Sequence, residues 1–575
     1  MSLAVPSETR RTSALSWLAT PPWVLAATIA VLLALLLLPL RLPLGGMYWD
    51  LFVYFDGAQR VLLGQMPSAD FYAPVGPLGY YLFAGGVSLF SHAQPLLLVQ
   101  WCMIVVTAPV MFVVLRDVGQ RSQADAWALL VPYLAFSLLP FNSISVSVYP
   151  GVDGFGIYNR HESYLLYVLA CALMFIRAPS RMLLVLAWLM PALFLVKITG
   201  FAVAVVLCAF AFVAGRISLR TALSAVAAFV VILGALQVAT GMVSAYASDI
   251  LALLGENRGT LLPRFATVAS QNFGLLAPGF LLAALLFAID VTELRRNGAA
   301  VLRKSGPFTA LSWLLDRDWM WLAVLLIGGM AFETQNTGSQ SFLMAWPALY
   351  LALKRAWSMP AGARVPIFLL VAFAAVPTAS DLLHRSARAA AAELGNTPLQ
   401  SRYLGTMGAV SAKQEFFDQA AREREYFVAY RGDPVPAPIE DTSSHRPFSE
   451  IDFQLQFLQN VDEATGMILD YENANALRFQ SILTLDFINP FPWLLDRDAP
   501  RHVSIGAVPD RTARPLDDRM RAAIDATDLI LVPRCTATGL SRGLFALYSE
   551  AFADHRKVSL TGCYDGYIRP GLLAN

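Results

Sequence analysis

The sequence predicts a polytopic α-helical membrane protein of about eleven transmembrane helices with a C-terminal extracytoplasmic α/β domain. Three observations lead there. Of the 575 residues, 57% are hydrophobic and only 14% charged, whereas a soluble domain carries about 25% charge. Apolar runs recur near 22–40, 95–115, 124–140, 161–177, 181–197, 199–214, 221–240, 272–290, 319–332, 341–353 and 364–381, and about 20 apolar residues cross a bilayer core. Basic residues fall unevenly on the connecting loops.

That unevenness sets the orientation. One set of loops holds Arg10, Arg11, Arg116, Arg121, Arg177, Arg181, Arg216, Arg220, Arg295, Arg296, Arg303, Lys304, Arg317, Lys354, Arg355 and Arg364. The other holds only Arg41, Arg60, Arg160, Lys197, Arg258 and Arg264. Loops rich in Lys and Arg stay in the cytoplasm. Residues 1–21 therefore read as a cytoplasmic N-terminus, 22–381 as the membrane domain and 382–575 as a periplasmic domain of a bacterial inner-membrane protein. The odd number of spans agrees. The first run, Trp23 to Leu40, is too long for a signal-peptide core and lacks a small-residue cleavage site, so it reads as a retained span.

Between the first two spans, residues 50–90 read as two juxtamembrane helices lying at the outer interface. From Asp50 to Gly64, the residues Leu51, Phe55, Ala58 and Leu62 form one apolar ridge. A turn-rich stretch follows from Met66 to Pro74, and then an aromatic run from Gly76 to Phe90 that is short for a span. Counting that run as a span would break the parity and move Arg116 and Arg121 outside.

Composition shifts near Asp381. Arg385 to Arg424 is Ala-rich and charged, a helical pattern, and Pro434 to Pro438 is a stiff connector. Gly466–Asp470, His502–Gly506 and Leu529–Pro533 read as short buried strands, with a helix over Asp517 to Ala526. Cys102, Cys171 and Cys208 lie within spans as small apolar residues. Cys535 and Cys563 sit in the outer domain, where an oxidising setting favours a disulfide over free thiols. No His and Cys spacing fits a metal site, no cofactor is implied, and no phosphate-cradling glycine motif or GxSxG elbow occurs. A net charge of +1 excludes the concentrated basic face that nucleic-acid binding requires.

The chemistry-bearing residues gather on the outer loops. Asp50 opens the first interfacial helix, and Tyr54, one turn on, shares its face. The stretch Asp50-Leu-Phe-Val-Tyr54, then Ala58, Leu62, Gly64, Asp70-Phe71-Tyr72-Ala73-Pro74 and Gly76-Pro77-Leu78-Gly79-Tyr80-Tyr81, resembles the first outer loop of GT-C glycosyltransferases. These are polyprenyl-phosphate-sugar-dependent enzymes, among them protein O-mannosyltransferases and aminoarabinose transferases. The likeness covers roughly residues 20–215. It implies Asp50 as catalytic base, although many members carry a second acidic residue where this chain has Leu51. It further implies Lys197, in Val196-Lys197-Ile198-Thr199-Gly200, as a cation facing the outer active site.

The implied reaction transfers a sugar, hexosyl or pentosyl, from a polyprenyl phosphate to a hydroxyl of a lipid or glycan acceptor. Its leaving phosphate calls for fixed cations, and the candidates are Lys197, Arg160 and Arg258. Arg160 serves equally as an anchor for lipid headgroups. Tyr54, Asp56, Tyr72, His161, Glu162, Glu333, Gln335 and Asn336 are candidate substrate contacts, with the segment after Glu333 readable either as a sugar-binding turn or as a solvated hairpin. Asp316-Arg317-Asp318 and Asp496-Arg497-Asp498 have the DxD spacing of nucleotide-sugar enzymes. The first reads as a cytoplasmic span flank, and the second lies where no nucleotide sugar is expected. Polysaccharide polymerases or ligases and lipid or solute transporters are the competing classes. Against a transporter, the spans are nearly free of charge away from their outer ends, and no inverted repeat is visible.

Overall fold

The computed structural model describes residues 20–144, 148–256, 261–304, 306–334, 340–429, 450–509, 511–535 and 538–572. Arg10, Arg11, Arg258, Gln335, Asn336 and the Pro434–Pro438 connector lie outside these residues.

A helix accompanies each expected apolar run. In chain order the first half contains α1 (Pro21–Leu36), α2 (Asp50–Leu62), α3 (Leu78–Leu89), α4 (Pro95–Cys102), α5 (Ile104–Gly119), α6 (Gln123–Leu138), α7 (Ile157–Phe175), α8 (Pro179–Val196), α9 (Ile198–Val213) and α10 (Leu219–Thr240). Then come α11 (Met242–Glu256), α12 (Leu261–Gln271), α13 (Phe273–Lys304), α14 (Pro307–Leu315), α15 (Asp318–Glu333), α16 (Trp346–Trp357) and α17 (Ala361–Glu393). Among the described residues, four helices are long and apolar enough to cross a membrane: α8, α10, α13 and α17. The pair α4 and α5, bent by 41°, makes a fifth if it is one span.

The remaining runs are shorter for identifiable reasons. Helix α1 has 16 residues, about 24 Å at 1.5 Å per residue against a core of about 30 Å. Helix α7 has 19, but its first turn is Ile-Tyr-Asn-Arg-His-Glu, so its apolar part begins only at Ser163. Nearly every residue of α7 is buried, because α4, α5, α6, α8, α9 and α16 all pack around it. A central helix needs no lipid-facing stripe, which is why its apolar residues show no preferred side.

At the bundle end remote from the C-terminal domain, acidic residues hold the arginines of the basic loops. Asp117 pairs with Arg121 at 2.7 Å and Arg181 at 2.8 Å, Asp316 with Arg216 at 2.8 Å, and Asp290 with Arg355. Asp318 lies 3.5 Å from Arg355. The Asp316-Arg317-Asp318 motif is thus engaged in ion pairs that tie helix ends together.

Beyond the bundle, β1 (Leu42–Pro43), β2 (Thr397–Pro398) and β3 (Val410–Ala412) form a small sheet in the order β1-β3-β2. Leu42 pairs in parallel with Val410, so residues just after the first helix are fastened to the C-terminal region. Helices α18 (Gln414–Ala429) and α19 (Ile451–Ala474) pack together. A second sheet, β4 (Ile482–Thr484), β5 (Leu529–Pro533), β6 (Arg556–Ser559) and β7 (Tyr564–Ile568), has the order β4-β5-β7-β6. Helices α20 (Phe491–Leu495), α21 (Asp518–Asp525) and α22 (Gly539–Tyr548) complete this part.

Several expectations are corrected. The composition shift near Asp381 does not end a helix: α17 continues without a break to Glu393. Gly466–Asp470 lies inside α19. The buried residues Leu458, Val461, Thr465 and Ile468 have helical spacing, a period that a five-residue window cannot reveal. His502–Gly506 is not a strand; it contributes only the bridge of Ser504 to Tyr72. Leu529–Pro533 is a fully buried strand.

Cys535 and Cys563 are joined as a disulfide across 28 residues, with Cα atoms 4.6 Å apart. Both are buried beside β5 and β7. In the chain-entropy model such a loop closure stabilises by roughly 3 kcal/mol. Maleimide should therefore label both positions only in reduced, denatured protein, and labelling without reductant would contradict the bridge.

Candidate active site

Four pieces of chain converge where the bundle meets the C-terminal domain: the start of α2, the start of α7, the α8–α9 junction and the end of α15. Each brings polar or ionisable side chains to this region.

Asp50 is the first residue of α2. One carboxylate oxygen accepts from the Gly156 backbone amide at 3.4 Å; the other, Oδ1, is buried with no partner. Burial pushes its pKa up to about 7. The Gly156 amide and the charges of Arg160 and Arg511 act in the opposite direction and are outweighed. A carboxyl held near neutrality can take a proton at cellular pH. One turn on, Tyr54 is buried with an unpartnered hydroxyl. Its ring lies 6.4 Å from His161, edge to face.

The start of α7 supplies the densest group. Arg160 Nη1 donates to the Asp153 carbonyl at 3.0 Å, while Nε and Nη2 are buried without partners. Asp153 in turn binds Arg385 at 2.5 Å and the Asn142 amide at 2.9 Å, which fixes the carbonyl that holds Arg160. His161 Nε2 lies 2.8 Å from the Val99 carbonyl, and its Nδ1 has no partner. Glu162 is fully buried, and neither carboxylate oxygen makes a hydrogen bond of good geometry. Its nearest polar neighbours are the Thr199 hydroxyl and the Gly200 amide. A Cβ at Gly200 would lie 2.5 Å from the Glu162 carboxyl carbon, so any side chain there would displace that carboxylate.

Lys197 is the hinge between α8 and α9, in extended conformation at φ −166° and ψ 136°. This break turns its side chain inward. Nζ donates to Asn159 Oδ1 at 2.9 Å and lies 4.9 Å from the centroid of the Tyr158 ring. The loop before α3 rests on the same junction, with the Gly76 amide donating to the Val196 carbonyl at 2.8 Å. A Cβ at Gly76 would meet the Leu195 carbonyl oxygen at 2.2 Å. Glu333, the last residue of α15, is buried and within electrostatic range of Lys197.

The expected site residues therefore divide. Asp50, Tyr54, Arg160, His161, Glu162, Lys197 and Glu333 come together, and Tyr72 lies at the rim beneath the Arg514 guanidinium at 4.4 Å. Asp56 does not join them. It is buried on another face of α2 in a 2.8 Å ion pair with Arg60, which also donates to the Pro500 carbonyl. At 100° per residue, Asp56 is turned well away from Asp50, so its role is to anchor the C-terminal domain. In the Asp496-Arg497-Asp498 stretch, Arg497 pairs with Glu472 at 3.2 Å, which makes that motif structural. Among the described residues no group of His, Cys, Asp and Glu has the arrangement to hold a metal.

Sequence reasoning passed over Asn159, although it directly precedes Arg160. Arg511 and Arg514 were not singled out either. Nothing local marks them, since each reaches the site from a distant element.

No protein-family model matches the sequence, and no curated protein matches it. In fold, the chain is similar to ArnT from Cupriavidus metallidurans in the apo state, at 11% identity and a TM-score of 0.39, over 96% of this chain and 99% of that one. It is similar to the same protein bound to undecaprenyl phosphate, at 12% identity and a TM-score of 0.39, with the same coverage. A third likeness is to the archaeal oligosaccharyltransferase AglB from Archaeoglobus fulgidus, in complex with an inhibitory peptide and a dolichol-phosphate. There the identity is 10% and the TM-score 0.34, over 96% of this chain and 74% of that one. With TM-scores below 0.5, these likenesses assign no activity to the chain.

Proposed function

We propose that this chain is a membrane glycosyltransferase that moves a sugar from a polyprenyl-phosphate donor to a hydroxyl of a lipid or glycan acceptor. The reaction takes place at the outer face of a bacterial inner membrane. In this reading the chain crosses eleven times, with its N-terminus in the cytoplasm and its C-terminal domain in the periplasm. The single observation that carries the reading is the convergence, at one bundle end, of an acid poised near neutrality with Arg160, whose buried Nε and Nη2 have no partner, and Lys197, which donates to Asn159. A buried polar group without a partner costs on the order of 1–3 kcal/mol. A cluster of them is stabilised when a ligand supplies the missing partners.

The chemistry follows from the types present. Asp50 Oδ1 takes the acceptor's hydroxyl proton as its oxygen bonds to the anomeric carbon. The bond from that carbon to the phosphate oxygen breaks, and its electron pair leaves with the polyprenyl phosphate. The added negative charge falls to Lys197 and Arg160. Tyr54, Tyr72, His161, Glu162 and Glu333 border the space for sugar and acceptor. Arg160 sits where a headgroup anchor would be solvated, yet it is fully buried, which favours the phosphate role. A transporter would need ionisable groups spaced along a path. The opposite bundle end instead carries closed ion pairs.

The test uses full-length protein in nanodiscs with a panel of radiolabelled polyprenyl-phosphate hexoses and pentoses and extracted envelope lipids as acceptors. Transfer of one sugar per acceptor from one of these donors is expected. A ladder of products would make the protein a polymerase. Binding of every donor without transfer to any acceptor would contradict the proposal.

A further inference from the structure

The C-terminal domain is stitched to the rim of the site along residues 501–514. The His502 amide donates to the Asp70 carbonyl at 2.6 Å, the Tyr72 amide to Val503 at 3.1 Å and the Ile505 amide to Tyr72 at 3.0 Å. Arg501 pairs with Asp70 at 2.8 Å, and Arg514 with Asp249 of α11 at 2.9 Å. Gly506, at φ +57°, brings the chain against Val53 and Pro74.

The chain then makes a tight turn. Thr512 Oγ1 donates to the Gly506 carbonyl at 2.7 Å and accepts from the Val508 amide at 2.8 Å. The amides of Arg511, Thr512 and Ala513 all donate to the Val508 carbonyl, at 3.2, 2.9 and 2.9 Å. The backbone at Arg511 is therefore fixed, on a domain that is itself fixed to the site. Its side chain is not. Arg501 and Arg514 on either side each hold a carboxylate, whereas Arg511, among the described residues, forms no ion pair and no side-chain hydrogen bond. Its charge nonetheless acts on both Asp50 and Lys197. A long cationic side chain, anchored at its root on the rim of the site, free at its tip and within electrostatic range of a lysine, suits an anion with several oxygens. The guanidinium fork matches phosphate bidentately.

We propose that Arg511 is a donor-binding residue supplied by the C-terminal domain, closing on the phosphate of the lipid-linked donor opposite Lys197. The inference rests on the lipid-phosphate reading of the site. It gives the C-terminal domain a part in holding donor, with the 506–513 turn as the arm that reaches across.

The experiment compares binding of a short-chain polyprenyl monophosphate and of the polyprenol of equal length to full-length protein in nanodiscs. Arg511→Gln should weaken phosphate binding by about tenfold, Arg511→Lys by less, and neither should change polyprenol binding. In wild-type protein the phosphate probe should slow hydrogen exchange across 506–513, and in Arg511→Gln it should not. If Lys197→Ala weakens phosphate binding and Arg511→Gln does not, the Arg511 proposal falls while the reading of the site stands. Equal loss of both probes in Arg511→Gln would also overturn it, as a general disturbance of the domain. If wild-type protein does not prefer the phosphate over the alcohol, both fall.

Discussion

Replacing Asp50 with Asn lowers sugar transfer by about 10²–10⁴-fold, the usual worth of general-base assistance, while the protein still folds. The reason lies in what the change keeps. Asn retains an oxygen to accept from the Gly156 amide, and its size matches the pocket at the start of α2. What it lacks is the ability to take a proton. Donor binding should survive, because in the proposed mechanism Lys197 and Arg160 rather than Asp50 hold the phosphate. Transfer and donor binding measured on the same nanodisc preparation separate the two effects. An aspartate that merely wets the surface predicts no change in either.

Lys197→Ala has the opposite bias, weakening donor binding by about 10–100-fold as well as turnover. The ammonium sits at the hinge of two helices, and its removal leaves Asn159 Oδ1 without its donor. It also leaves buried Glu162 without its nearby positive charge. Lys197→Arg should recover part of the binding, since charge is kept and geometry is not. Equilibrium binding of a polyprenyl monophosphate checks this, and unchanged affinity in Lys197→Ala would remove the lysine from the phosphate site.

Part of this site was legible in the amino-acid order, because local geometry encodes it. Asp50 and Tyr54 share a helix face by simple spacing. Lys197 stands alone between two apolar runs, where only a helix break can place a lysine. The polar run Asn159–Glu162 opens an otherwise apolar helix and needs a reason to be buried. The helices under the apolar runs were legible for the same cause, since apolar length is a one-dimensional property.

What escaped is tertiary. The pairing of Arg514 with Asp249 joins residues 265 apart in sequence, which no spacing records. Asp56, expected among the substrate contacts, is instead paired with Arg60, which binds the Pro500 carbonyl 440 residues away. The strand expected at Gly466–Asp470 failed because a buried helix and a buried strand look alike over five residues. The Ala-rich, charged stretch from Arg385 reads as helical, but no apolar signal shows that its first part continues the preceding apolar helix to Glu393.

The most direct test of the account is the pH dependence of single-turnover transfer by wild-type and Asp50→Asn protein at saturating donor. A carboxylate is a base only when ionised, and burial sets the Asp50 pKa at about 7. Below that value the wild-type rate should rise by roughly tenfold per pH unit and then level off above it. The Asn variant should show a low rate without that limb. A wild-type rate that is flat through neutrality, or Asp50→Asn transfer close to the wild-type rate, would contradict the assignment of Asp50 as the base.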